Sequence, residues 1–145
     1  MKRALRTMLL MAALPLAALA QGFEDLDQAV ANLSRGFGSG EARAVVAGLG
    51  ESDKVQLQFP GLIEETGFFG RDQASYMLEK LFQNVKPSGY AKNRDRKVSA
   101  QNQYQIVADW TIARDGKAEV VPLHLTLQKN AEQRWLLVSA RSVSK

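Results

Sequence analysis

Between Glu24 and Phe37, apolar residues fall at Leu26, Ala29, Val30, Leu33 and Phe37, the spacing of one helical face. Glu24, Asp25 and Asp27 crowd the first turn, where carboxylates suit the positive end of the helix dipole, and Arg35 lies near the other end. Gly36, Gly38 and Gly40 stop this helix. A shorter one follows, with Ser39 as its N-cap, Ala42, Val45, Val46 and Leu49 on one stripe, and Gly48 and Gly50 closing it. Val55 to Phe59 alternates with period two, which predicts a strand; Pro60-Gly61 turns the chain, and Phe68-Phe69-Gly70 ends a short return strand. The cleanest helix begins at Asp72. Its stripe is Ala74, Met77, Leu78, Leu81, Phe82 and Val85, and Pro87-Ser88-Gly89 ends it.

The last third of the chain predicts a β-meander. Tyr104, Ile106, Ala108, Trp110 and Ile112 alternate with polar residues, Asp115-Gly116 is a hairpin turn signal, and Val121, Leu123, Leu125 and Leu127 alternate in turn. After a second turn at Asn130–Gln133, Leu136, Val138 and Ala140 continue the pattern. Centring the turns on Asp115-Gly116 and Ala131-Glu132 sets Ala108 opposite Leu123, Ile106 opposite Leu125, Leu125 opposite Val138 and Leu123 opposite Ala140. All four pairs share one face, as cross-strand packing requires. Pro122 has no N–H for a ladder, so a bulge or bend is expected there.

Lys2, Arg3 and Arg6 precede an apolar run from Met8 to Ala20 that ends Ala18-Leu19-Ala20. The run is 13 residues long, below the ~20 that span a bilayer as a helix. The pattern predicts a signal peptide over residues 1–20, cut before Gln21, and a single mature domain over residues 21–145 with no transmembrane segment. Export to a periplasmic or secreted location follows as the expectation. Removing three basic residues and no acidic one lowers the net charge from +4 to +1, which takes away the global electrostatic case for nucleic acid. With no cysteine in the chain, disulfide scaffolds, zinc ribbons and thiol chemistry are excluded; one histidine, His124, excludes two-histidine metal sites. No cofactor motif is present. Gly36-Phe37-Gly38-Ser39-Gly40 lacks the spacing and preceding strand of a dinucleotide loop.

Helices followed by a long β-meander, with Ser39-Gly40-Glu41, Phe69-Gly70-Arg71-Asp72-Gln73-Ala74 and Arg134-Trp135-Leu136-Leu137-Val138 as landmarks, resembles the NTF2-like superfamily across nearly all of Glu24–Val143. Within it, the chain looks most like small exported bacterial domains of unknown function. The resemblance implies an α+β cone, with N-terminal helices packed on a curved antiparallel sheet. That fold carries isomerases, dehydratases and epoxide hydrolases as well as non-catalytic binding modules, so it does not choose between them.

Catalysis in a cone needs an acid or base inside it. The predicted register leaves only Tyr104, Glu119, Arg134 and Ser142 as polar members of the apolar face, all near strand ends, and sends Asp109 and His124 to the opposite face. The expected role is therefore non-catalytic: a small lipophilic ligand among Phe68, Tyr76, Tyr104 and Trp110, or a protein partner, the chain itself included. The outer face, with Asp109, His124, Trp135 and Arg141, is either a homodimer surface or a solvated face on which Asp109 and Arg141 form a weak pair. The alternative function is a cofactor-free isomerase, dehydratase or hydrolase using Tyr104, Asp109 or His124. A Ser139–His124–Asp109 triad has no G-x-S-x-G elbow to support it. Lys86, Lys92, Arg94, Arg96 and Lys97 read first as charge protecting an edge strand or loop, and second as a patch for polyanions, headgroups or an acidic partner.

Overall fold

The computed structural model describes residues 22–143; the predicted signal peptide lies outside them. Three helices, α1 (Leu26–Ser39), α2 (Ala42–Val46) and α3 (Arg71–Val85), pack on one face of a six-stranded sheet. Its strands are β1 (Val55–Gln58), β2 (Gly67–Phe69), β3 (Gly89–Val98), β4 (Gln103–Arg114), β5 (Lys117–Lys129) and β6 (Trp135–Ser142), in the order β2-β1-β6-β5-β4-β3. All pairings are antiparallel except β1 with β6, which run parallel.

The three helices form on the predicted stripes, but α1 runs through Gly36 and Gly38 and stops only at Gly40, a left-handed C-cap, and α2 ends at Val46, short of Leu49. Asp25 caps α1 by accepting the Asp27 N–H at 2.9 Å. Ser39 belongs to the end of α1 rather than capping α2, and Glu41 precedes α2 with no side-chain cap. Gly36 is needed for a close approach: a Cβ there would lie 2.5 Å from the Val45 side chain across the α1–α2 contact. The same contact is tied by buried Asn32, whose amide donates to the Ala44 carbonyl and whose oxygen accepts from Arg35.

The β4–β5 hairpin turns on Asp115 and Gly116, both at positive φ, with Arg114 opposite Lys117, the two-residue turn that matches strand twist. Ala108 faces Leu123 and Ile106 faces Leu125, as the sequence predicts. Pro122 opposes Asp109 with no bulge. Its carbonyl accepts from Val143 N–H, so its ring nitrogen faces the same side, and the return bond of that pair is left unmade just past the end of β6.

The β5–β6 register differs from the expected one by two residues. The connecting loop has an odd length, Lys129 facing Trp135, which shifts the pairing by one. Thr126 then faces Ser139 while Leu127 faces Leu137, so Val138 is an extra residue that shifts it by one more. Leu125 therefore opposes Ala140, and Leu123 opposes Ser142. The two shifts cancel in parity beyond Val138, and Ala140 and Ser142 remain inward. Between the loop and the bulge the faces are exchanged. Trp135 and Leu137 join the core, while Leu136 turns outward beneath Gly22 and Gly50.

Candidate functional site

The inner face of the sheet is filled. Trp110 has no solvent exposure and stands edge-on to Phe37 at 5.6 Å between ring centroids, with Phe59 at 6.1 Å and Phe82 at 6.4 Å. Its indole N–H donates to the Phe37 carbonyl at 2.8 Å, satisfying the one polar atom of the ring. The expected ligand-lining residues do not converge around it. Phe68 is 65% exposed and Tyr76 67% exposed; Phe68 sits on short edge strand β2 and Tyr76 on the solvent side of α3. The helical stripe of α3 explains Tyr76, because its core positions are those of Ala74, Met77, Leu78 and Leu81.

Tyr104 lies near the start of β4, where its hydroxyl donates to the Asp95 carboxylate, which also takes a bond from Lys92 at 2.9 Å. These two donors hold the Asp95 carboxyl below its usual range. Burial, then the bond to Asp95, raises Tyr104. Neighbouring Tyr90 is pushed up to about 12, mainly by burial, and its hydroxyl has no hydrogen-bond partner. A tyrosine raised in this way stays protonated at neutral pH and serves as a donor, not a base.

The outer face is organised in rows across the strands. Arg94, Val107, His124 and Arg141 are successive register partners on β3, β4, β5 and β6, and Gln58 of β1 continues the row. Next to it run Arg96, Gln105, Thr126, Ser139, Gln56 and Phe68. On the other side, Ala91 pairs with Asp109, and Asp109 with Pro122. The odd loop and the bulge at Val138 together move Arg141 beside His124, away from the expected Asp109–Pro122 row. No ion pair joins Asp109 to Arg141 among the described residues. Trp135, expected as an anchor on this face, is in the core, with the Lys129 ammonium 5.9 Å from its ring centroid.

His124 is half-buried on this face, and its pKa is lowered by burial first and by the Arg141 and Arg94 charges second. Ser139 donates to the Gln56 amide oxygen at 3.4 Å, and it pairs in register with Thr126 rather than His124. No hydrogen bond links Asp109 and His124 among the described residues, so the triad is not assembled. A groove of about 640 Å³ opens here, floored by Gln56, Gln105, Thr126 and Ser139 and flanked by Phe68 and Arg141. The basic segment expected to protect an edge does form edge strand β3. What the sequence left hidden is that its Arg94 and Arg96 share a face with Arg141. A bulge between Lys92 and Arg94 breaks the alternation that would have signalled it.

No family model and no curated relative matches the sequence. Solved structures do match in shape. A DUF4783 family protein from Bacteroides fragilis YCH46 superposes with a TM-score of 0.63 at 18% identity, over 79% of this chain and 96% of that one. An NTF-2 like protein of unknown function from Shewanella oneidensis MR-1 gives 0.59 at 14% identity, over 82% and 96%. A hypothetical protein with a ketosteroid isomerase-like fold from Catenulispora acidiphila DSM 44928, solved with trimethylamine, gives 0.61 at 13%, over 81% and 85%. The chain therefore has the NTF2-like fold, an α+β cone of helices on an open six-stranded sheet. At these identities the likeness carries architecture, not activity.

Proposed function

We propose that the chain is an exported, non-catalytic binding domain whose ligand is another protein, taken on the outer face of the sheet. The observation that carries this reading is the contrast around Trp110: the cone interior is packed solid with aromatic rings, while the outer face holds an open groove of polar side chains. A small apolar ligand in the cone finds no support from Phe68 or Tyr76, which lie outside it. Catalysis through Asp109 or His124 loses support for the same reason, since both project from the open face. A second copy of the chain is one candidate partner. Among the described residues, no helix is long and apolar enough to cross a membrane.

The test places a photo-crosslinking amino acid at Thr126 on the outer face, or at Gln83 on the exposed side of α3, in cells of the source organism. A protein adduct of discrete mass from position 126, absent from position 83, is expected. Twice the mass of the chain identifies a homodimer; another mass identifies a different partner. No adduct, or equal adducts from both positions, overturns the reading. Export is checked on the same material, where the envelope fraction should contain a chain whose N-terminus begins at Gln21.

A further inference from the structure

Three of the eight described arginines have a carboxylate partner. Arg114 pairs with Glu119 at 2.8 Å, Arg134 with Glu24 at 3.4 Å and Arg35 with Glu41 at 3.6 Å. Arg94, Arg96 and Arg141 have no ion pair among the described residues, and the sheet gathers all three on its outer face. Two carboxylates share this face without an ion pair to any of the three: Asp109, exposed and one row away beside Pro122, and Asp53 at the rim of the groove. From Arg94 to Arg141 is three strand spacings, about 14 Å between backbones, and the ground between them is Val107 and His124. Neither Val107 nor the His124 imidazole, which feels both guanidinium charges, can carry a negative charge, so the row does not supply its own counter-charge.

We infer that this face recognises carboxylates on its partner: an acidic protein segment whose Asp or Glu side chains meet Arg94, Arg96 and Arg141, with an aliphatic residue against exposed Val120 and Val143 at the end of the sheet. The inference rests on the reading that the outer face takes a protein. Guanidinium groups suit carboxylates because their planar fork donates two parallel hydrogen bonds. Desolvating these cations against a neutral partner would leave buried charge unpaired, whereas an acidic segment satisfies it. A second copy carries the same three arginines on this face and is a poorer match to them than an acidic segment. Lys54 and Lys129 also line the groove beside Arg141, so an anionic lipid surface, read by clusters of about four to eight basic residues, is the competing outcome of the test.

The test uses the purified protein and a short synthetic peptide of glutamates spaced by valine and glycine, alongside the same peptide with glutamine for every glutamate. The glutamate peptide should bind and weaken as salt is raised, and the glutamine peptide should bind at least about tenfold more weakly. Arg94→Glu with Arg141→Glu should cost the glutamate peptide at least about tenfold in affinity. Arg94→Gln with Arg141→Gln gives a smaller loss in the same direction, and Arg43→Glu on α2 none. Equal binding of the two peptides, no binding of either, or indifference to the outer-face substitutions overturns the inference, as does preference for phosphatidylglycerol vesicles over the peptide. A cross-link at position 126 together with peptide indifference removes only the acidic partner. No cross-link at 126 removes the protein-binding reading, whatever the peptide does.

Discussion

The two faces of this sheet are made by the same strands and differ in every physical respect that matters to function. On the inner face, Ile106, Ala108, Trp110 and Ile112 of β4 meet Leu123, Leu125 and Leu127 of β5 with almost no solvent exposure. On the outer face, one residue along each strand, Gln105, Val107, His124 and Thr126 are half-buried and Asp109 and Arg141 are exposed. The inner face has solved its packing problem within the chain. The outer face has not: its amides and guanidinium groups are arranged in rows with few internal partners. A face with unspent hydrogen-bonding capacity is where recognition is built, and a face packed to crystal-like density is where the fold is held.

The largest effect should come from mixing the two faces. Deleting Thr126 from the middle of β5 forces residues on one side of the gap onto the wrong face, because strand alternation has a period of two. Loss of the cooperative thermal transition is the expected outcome. Deleting Val138 should do far less, costing about 1 kcal/mol, since that residue is the surplus of the bulge and its removal leaves Trp135, Leu137 and Ala140 inward. Equal damage from both deletions would show that Val138 is not surplus. Next in size, Trp110→Ala should cost about 3–5 kcal/mol by emptying the middle of the aromatic cluster. Val107→Ala, three residues away on the outer face, should cost under about 1 kcal/mol. Urea melts of the two variants measure the contrast directly.

How much of this was legible depended on whether an element's signal is local. Every helix core and the β4–β5 pairing follow from apolar spacing and one Asp-Gly turn, because hydrophobic period and turn chemistry are properties of neighbouring residues. The β5–β6 register lies two residues from the one the sequence predicts, because an odd loop and a bulge at Val138 leave no clear mark on composition. Trp135 sits in the core rather than on the outer face for that reason. Phe68 and Tyr76 were expected inside because large aromatics usually are, yet neither lies on a core stripe. The outer-face rows were only partly visible: Asp109 and His124 were placed there, whereas Gln56 arrives through a parallel pairing with β6 and Arg94 through a bulged edge. Those are non-local facts, fixed by which strands meet rather than by the residues in any one of them.

The smallest effect is also the sharpest probe of the outer face, because His124 is the single histidine of the chain and its imidazole signals need no assignment. Burial and the charges of Arg141 and Arg94 lower its pKa below 6.5 in the folded protein. Above that value the imidazole is neutral whether the chain is folded or not, so it adds no pH dependence. As pH falls below 6.5, the unfolded chain takes up the proton first and stability declines, until the folded-state pKa is passed and the loss levels off. The Tm of the native protein should therefore fall slightly more on acidification than that of His124→Gln, by about 1 °C. In the folded protein, NMR titration of Arg141→Gln should show the imidazole pKa rising back toward its ordinary value, and Arg94→Gln should act in the same direction but less. An imidazole that titrates at its unperturbed value, unmoved by either substitution, would mean that the guanidinium groups do not face it, and the row of charge across the sheet would be broken.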